Sequence, residues 1–293
     1  MYRSKTSYKF GDKIPNEFNK IKSREFGDWE IPPWDLIIDD SKIIGKGNFG
    51  TVYLGSWRKT TVVVKISNTN ISKEDEQLFL SEFEVMTKMH HPNIIQLLGY
   101  VREPFMIVME YLPKNDLTVY ISEYKLNLKK KINICIEILK GVCYLHNRKP
   151  QYIIHRDLKP QNIIFSKSGI PKISDFGLSK NLNNIILKNE EELDLDLTSH
   201  VGSKRYMSPE IKDSSIYDYK TDIWSLGIIF YELFENIRFN NKLIWIKTPI
   251  KIRKIIENHM IQKVASNRSD AINLISLFEN VIYKKSFCFR CFN

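Results

Sequence analysis

The sequence predicts an α+β fold in which a small antiparallel β-sheet with one key helix comes first and a larger, mainly helical part follows. Three observations predict it. Ser41 to Ile66 is rich in β-branched and aromatic residues, broken by glycines and by the turn Arg58-Lys59-Thr60, and reads as three antiparallel strands. Phe79, Phe83, Met86 and Met89 then recur at helical spacing. From Leu128 to His146 the apolar residues Ile132, Ile136, Leu139 and Cys143 recur in the same way, as in a long buried helix, and Asp222 to about Leu233 reads as another.

At 293 residues the chain can hold one large domain or two small lobes with a substantial core. Its 43% apolar and 27% charged residues are those of an ordinary globular protein. No apolar run approaches the roughly 18 residues of a membrane-crossing helix, so no membrane span is expected. The N-terminal MYRSKTSYKF lacks the apolar core of a secretory signal. The net charge of +10 is scattered, with mild clusters at Lys129-Lys130-Lys131 and in 247–254. It reads as a solvated surface that also suits an anionic nucleotide, and not as a nucleic-acid footprint. Cys135 and Cys143 fall in the buried helical pattern, as reduced core residues do. Cys288-Phe-Arg-Cys291 lacks the second ligand pair that zinc needs. A reducing, cytoplasmic compartment is the expectation.

Residues 1–28 are polar and without a period, and read as a flexible N-terminal tail. Ordered structure is expected from Trp29-Glu30-Ile31-Pro32. Between the first two strands lies Gly45-Lys46-Gly47-Asn48-Phe49-Gly50-Thr51-Val52, on a strand–turn–strand. Glycines there let backbone N–H groups approach phosphate oxygens with no Cβ in the way. Lys65 ends the apolar run Val62-Val63-Val64, and a lysine at the edge of such a strand needs a negative partner. Ser72-Lys73-Glu74-Asp75 resembles a capping box and opens the next helix, which carries Glu82 and Glu84. Two residues of helix turn those acids about 200° apart. His91-Pro92-Asn93 reads as a loop, and Ile94 to Leu98 and Phe105 to Met109 as strands, the second running into Glu110-Tyr111-Leu112-Pro113.

The polar residues Asp157, Lys159, Asn162 and Asp175 lie close together between the short apolar runs Ile153-Ile154, Ile163-Ile164-Phe165 and Ile173. This pattern suits a tight loop and a small hairpin on a buried base, with the acids pushed into a cleft. Two carboxylates and an amide converging there would hold Mg²⁺ through hard oxygen ligands and leave one acid to orient a hydroxyl. A long segment follows, of the kind that is usually mobile and functional. It contains the acidic run Glu190 to Asp196, then Thr198, Ser199, Gly202, Ser203 and Tyr206-Met207-Ser208-Pro209-Glu210.

His155-Arg156-Asp157-Leu158 with Asn162, then Asp175-Phe176-Gly177, preceded by G-x-G-x-x-G-x-V and a strand lysine, resembles the motif set of eukaryotic-type protein kinases. The likeness covers about residues 35–285. It implies the bilobal protein kinase fold, with N-lobe and hinge over 29–112 and a short, divergent C-lobe over 113–293. It implies that Gly45, Lys46, Gly47 and Gly50 cover the phosphates of ATP and that Glu82 pairs with Lys65. Val52 and Val63 would enclose the adenine from above and Ile164 from below. Met109 would stand at the back of that pocket, with Glu110 and Leu112 in the hinge. Asp157 would take the substrate proton, Lys159 would neutralise charge on the γ-phosphoryl group, and Asn162 and Asp175 would hold Mg²⁺. Asp222 would brace the turn at His155, Arg156 and Asp157.

Tyr206 to Glu210 resembles the close of a kinase activation segment, with Ser208 where alanine is usual. Kinase domains usually pair that glutamate with an arginine near the end of the domain. None stands around 280–286, which leaves Lys284, Lys285 or Arg290, and lysine cannot make a bidentate fork. Lys159 and the stretch Gly202-Ser203-x-x-Tyr206-Met207 resemble the serine/threonine pattern. Trp29 and Leu97-Leu98-Gly99 look closer to the tyrosine-kinase-like group. The implied function is transfer of the ATP γ-phosphoryl group to Ser/Thr hydroxyls of protein substrates, with ATP and Mg²⁺ as cofactors and no nucleic-acid partner. Arg156 and Lys180 would form a basic pocket for a phosphate at Thr198 or Ser199, placed by an upstream kinase or by autophosphorylation. Two alternatives stay open. One is a pseudokinase scaffold that binds nucleotide or partners without catalysis, motivated by Val63 and the divergent C-terminus. The other is a tyrosine or dual-specificity kinase. Nothing in the sequence indicates an oligomer.

Overall fold

The computed structural model describes residues 28–47, 50–66, 83–102, 105–150, 152–177, 179–181, 203–212 and 218–283. Two compact units divide the chain: Met1–His90 with Ile95–Tyr111, and His91–Ile94 with Leu112–Asn293.

The first unit is built on a five-stranded antiparallel sheet. Its strands are β1 (Leu36–Gly47), β2 (Gly50–Trp57), β3 (Thr60–Ile66), β4 (Leu97–Val101) and β5 (Met106–Glu110), in the order β1-β2-β3-β5-β4. Arg58 and Lys59 turn β2 into β3 with φ values of 47° and 68°. That left-handed pair matches the twist of a two-residue hairpin, although neither residue is a glycine. Arg58 is held there by an ion pair to Asp35 at 3.1 Å and by the face of Trp57, 5.6 Å from its guanidinium.

Register sorts the side chains of this sheet. Val62, Val64 and Val108 point to one face and pack with Ile31, Leu36 and Val101 as the core of the unit. Directly paired residues share a face, so Val52 with Lys65, Leu54 with Val63, and Val63 with Met109 occupy the other. The entry segment extends the sheet past β4. Ile31 donates its N–H to the Tyr100 carbonyl at 2.7 Å, and Tyr100 donates to the Trp29 carbonyl at 2.9 Å. Gly99 permits this approach, since a Cβ there would lie 2.7 Å from the Trp29 carbonyl oxygen.

The strand expected at Ile94–Leu98 instead starts at Leu97 and ends at Val101. Pro92 and the buried Asn93 are the cause. Ile94 donates to the His91 carbonyl in a turn at 3.0 Å, and the Asn93 carbonyl accepts the Ile173 N–H at 2.9 Å. The Asn93 side-chain amide donates to the Pro171 carbonyl at 3.0 Å and to Glu137 at 3.1 Å. Residues 91–94 are thereby tied into the second unit. Residues 83–87 are helical, and Met86 and Met89 from the expected apolar stripe are buried.

The second unit holds α1 (Leu117–Glu123), α2 (Leu128–His146), α3 (Pro209–Lys212), α4 (Lys220–Glu235), α5 (Ile250–His259) and α6 (Ala271–Tyr283). Asp116 caps α1 by accepting from the Thr118 N–H at 2.7 Å, and Asn127 caps α2 by accepting from the Lys130 N–H at 2.9 Å. The helix α4 is buried almost all round, which marks it as the centre of the unit. A short antiparallel pair, β6 (Ile153–Ile154) with β9 (Lys180–Asn181), and between them in sequence a hairpin, β7 (Ile163–Phe165) with β8 (Pro171–Ile173), complete it.

The expectation of a missing arginine for Glu210 is overturned. Arg268 fills the role, with Nη1 to Oε1 at 2.5 Å and Nη2 to Oε2 at 2.8 Å. Its side chain is 0% exposed. Arg268 stands in the turn ahead of α6, well before the stretch where a partner was sought, because nothing in the pairing fixes the distance from the chain end. Lys284, Lys285 and Arg290 lie outside the described residues.

Candidate active site

The central turn of the second unit is held by one buried carboxylate. Asp222, on α4 and 1% exposed, accepts the backbone N–H of His155 on Oδ2 and that of Arg156 on Oδ1, both at 3.0 Å. Its Oδ2 also meets His146 Nε2 at 2.9 Å. Burial opposes ionisation of Asp222, but the hydrogen bond from His146 and the groups at His155 outweigh it and hold the carboxyl below its ordinary value. With both N–H groups fixed, Arg156 sits at φ 68°, in the left-handed region that a non-glycine residue reaches only when its surroundings impose it.

His155 locks the next layer. Its Nε2 lies 3.0 Å from the Ser174 carbonyl, which can only accept, so Nε2 carries the proton. Its Nδ1 then accepts the Asp157 N–H at 3.3 Å. Phe176, 1% exposed, packs against the same imidazole with ring centroids 4.9 Å apart. Ser179 adds a hydroxyl bond to the His155 carbonyl at 3.4 Å, and Lys180 pairs with Ile154 across β6 and β9. These ties flank Asp175 on both sides. Asp175 itself is exposed and lies at φ 64°. A left-handed aspartate stores about 1–3 kcal/mol of strain, which the neighbouring contacts sustain.

The β7–β8 hairpin brings the remaining residues together. Its register pairs Ile163 with Ile173, so Asn162 stands beside Ser174, one residue before Asp175. Ser174 donates its N–H to the Asn162 carbonyl at 2.9 Å. The Asn162 side-chain nitrogen donates to the Asp157 carbonyl at 2.8 Å and to Asp157 Oδ2 at 3.1 Å. That fixes the amide orientation and turns Oδ1 away as a hard oxygen. Lys159 Nζ reaches Asp157 Oδ2 at 2.5 Å. One aspartate oxygen therefore receives an amide and an ammonium, which fixes the direction of the carboxylate. Among the described residues no group of three or more His, Cys, Asp and Glu could hold a metal. Asn162 and Asp175 offer two oxygen donors, which fits a hard cation whose shell is completed by phosphate and water.

In the first unit, Gly45 pairs with Val52, Lys46 with Thr51 and Gly47 with Gly50, so the glycine-rich stretch is a β1–β2 hairpin. Its tip, residues 48–49, lies outside the described residues. Val52, Val63, Lys65 and Met109 share one sheet face, and Lys65 and Met109 are both 7% exposed. Glu110 exchanges contacts with Gln96, accepting its N–H on Oε1 at 2.8 Å and donating its own N–H at 3.1 Å. Leu112 and Ile164 belong to the second unit, Leu112 buried and Ile164 half-buried. Glu82, the capping box at Ser72, Thr198, Ser199, Cys288, Cys291 and the Lys180 side chain lie outside the described residues. Glu84 is exposed.

Sequence reasoning passed over the part that His146 plays and named Ser208 without its partner. His146 adds a third contact to Asp222, and its position in the last turn of the long helix was the available signal. Ser208, fully buried where alanine was usual, shares a hydroxyl hydrogen bond with Thr221 at 2.7 Å.

Comparison with known proteins agrees with this geometry. Residues 38–285 match the family described as protein kinase domain. Serine/threonine-protein kinase VIK of Arabidopsis thaliana is 39% identical over 71% of the chain and 48% of its own length. Integrin-linked protein kinase 1 of the same plant is 35% identical over 73% of the chain and 45% of its length. Serine/threonine-protein kinase 12, also from Arabidopsis thaliana, is 37% identical over 77% and 48%. The chain thus spans about half the length of the curated relatives it matches.

Proposed function

The chain belongs to the protein kinase domain family, and from that premise we propose that it transfers the γ-phosphoryl group of ATP to serine or threonine hydroxyls of protein substrates. The observation that carries the proposal is Asp157, following the turn that Asp222 holds by two backbone N–H groups, with Lys159 and Asn162 bonded to it and the β7–β8 hairpin returning the chain from Asn162 to Ser174, next to Asp175. The names of the relatives support Ser/Thr as the acceptor class.

Each side chain has a task in that chemistry. Asp157 takes the proton of the substrate hydroxyl as its oxygen bonds to the γ-phosphorus and the bond to the bridging β–γ oxygen breaks, releasing ADP. Lys159, already on Asp157, offsets charge that grows on the transferring oxygens. Asn162 through Oδ1 and Asp175 through its carboxylate would hold Mg²⁺, which would supply charge neutralisation at the phosphates. The first unit contributes Lys65 for the α- and β-phosphates, backbone N–H groups of the Gly45–Gly50 hairpin, and Val52, Val63 and Met109 against the adenine. Phosphorylation at Thr198 or Ser199, with Arg156 as the receiving cation, is the regulatory part of the same proposal.

Transfer of radiolabelled phosphate from ATP to a generic protein substrate, with phosphoamino-acid analysis, tests this. Incorporation into serine or threonine that Asp157→Asn and Asp175→Asn each abolish supports it. No transfer by the wild-type chain, with nucleotide binding retained, would make the protein a pseudokinase scaffold.

A further inference from the structure

The connection from α4 to α5 carries an unusual combination of rigidity and exposed apolar surface. Ile246 is 77% exposed, Ile244 51% and Ile237 41%. Yet the backbone beside them is pinned at several points. Glu235, 1% exposed at the end of α4, accepts the N–H groups of Ile246 at 3.0 Å, Lys247 at 2.9 Å and Thr248 at 2.9 Å. The Tyr231 hydroxyl accepts the Ile244 N–H at 3.1 Å and donates to the Ile244 carbonyl at 3.2 Å. Glu232 accepts the Phe239 N–H at 2.8 Å, and Trp245 donates to Glu257 at 2.7 Å. A loop without a partner would gain by folding its isoleucines inward. This one is held with them outward, which is the preorganised form of an interface.

Glu232, Glu235 and Glu257 are engaged by the loop's own N–H groups, and the charges carried along the loop itself have one sign. From Asn236 to Ile256 the sequence carries Arg238, Lys242, Lys247, Lys251, Arg253 and Lys254 and no carboxylate. Beside the loop opens a cavity of about 550 Å³ lined by Tyr124, Lys125, Asn127, Lys131, Asn236 and Lys247, among others, with no acidic side chain in its wall. Lys131 stands half-buried, its ammonium donating to the Phe234 carbonyl at 3.2 Å. Burial first, then the nearby Lys247, lowers its pKa, against an opposing pull from Glu235. Lys131 and Lys247 repel one another beside this cavity, which Lys125 also lines, and an incoming carboxylate relieves that repulsion.

We propose that this cavity and the loop at 237–250 form a docking surface for an acidic peptide segment of a partner protein, one in which carboxylates alternate with aliphatic side chains. The carboxylates enter among Lys125, Lys131 and Lys247, and the aliphatic side chains cover Ile244 and Ile246. The surface uses none of the residues assigned to phosphoryl transfer.

Fluorescence anisotropy with a short labelled synthetic peptide of alternating aspartate and leucine, without ATP, tests the assignment independently of catalysis. Wild-type protein should bind it and should ignore a control peptide with lysine in place of aspartate. Affinity should fall as salt rises. Lys125→Glu and Lys247→Glu should each weaken binding by about fivefold or more, and Ile246→Ser by about threefold. All three side chains are exposed, so the variants should keep the wild-type unfolding midpoint. Equal affinity across wild type and variants overturns the proposal. So does recruitment to phosphatidylserine vesicles with no binding of the peptide.

Discussion

Arg268 grips Glu210 with both arms of its guanidinium, at 2.5 and 2.8 Å, in a site closed to solvent on the arginine side. Its Nε donates to the Gln262 carbonyl at 2.9 Å, and Nη1 also reaches the Lys220 carbonyl at 3.0 Å. The plane lies 5.1 Å from the centre of the Trp224 ring. Removing one partner of such a pair strands a buried charge. Arg268→Ala should therefore cost about 3–5 kcal/mol in urea unfolding. Arg268→Lys should recover only part of it, because an ammonium cannot reproduce the fork. An unchanged midpoint in Arg268→Ala would show that the pair contributes nothing.

Asp222→Ala should leave the His155 and Arg156 N–H groups buried and unpaired, at about 1–3 kcal/mol each. The larger effect is expected in catalysis, a fall of about a hundredfold or more in kcat, since the turn that aims Asp157 loses its brace. Asp222→Asn, which keeps one acceptor oxygen, should fall between alanine and wild type. Steady-state kinetics with a peptide substrate distinguish the three.

Asn162→Ala removes the amide that bonds Asp157 and one of the two oxygen donors proposed for the cation. Its kcat should fall by about 10²-fold or more. The magnesium concentration for half-maximal rate should rise as well, which a titration at saturating ATP would read. A drop in kcat with no change in metal dependence would confine Asn162 to orienting Asp157.

Acid stability follows from three depressed carboxyls. In Glu210, burial opposes ionisation, but the Arg268 hydrogen bond outweighs it. In Asp222, the His146 bond does the same. In Asp270, the Lys220 hydrogen bond lowers the value directly. A group whose folded pKa lies below its unfolded one adds stability that is present above the unfolded value and is lost as pH falls through the folded value. With unfolded values of 3.8 for Asp and 4.5 for Glu, the melting temperature should be level above about pH 5 and should drop below about pH 4. Asp222→Asn should flatten that drop.

The parts legible in the sequence were those whose spacing is short and set by one local structure. Asp157 and Asn162 sit on a single turn, and the hairpin after them can only return the chain to Ser174 and Asp175. The three strands expected over 41–66 announced themselves through valines and glycines for the same reason, although the first of them starts earlier, at Leu36. Ile94 misled because Asn93 beside it is buried and bonded to Glu137 and Pro171 within the second unit, a preference no local propensity records. Arg268 was missed because a salt bridge depends on spatial convergence and not on distance from a terminus. The outward isoleucines of the loop at 237–250 have no signal in the local sequence, since they are decided by Glu235 and Tyr231 on the preceding helix.

The clamp by Asp222 ties the turn at His155 and Arg156 to α4, the most buried helix of its unit. Those two amides can then exchange with solvent deuterium only when α4 itself comes apart. The turn and the helix should act as a single cooperative foldon, with protection factors near those of the global transition. Agents that loosen the exposed Asp175 segment should thus leave this inner register intact.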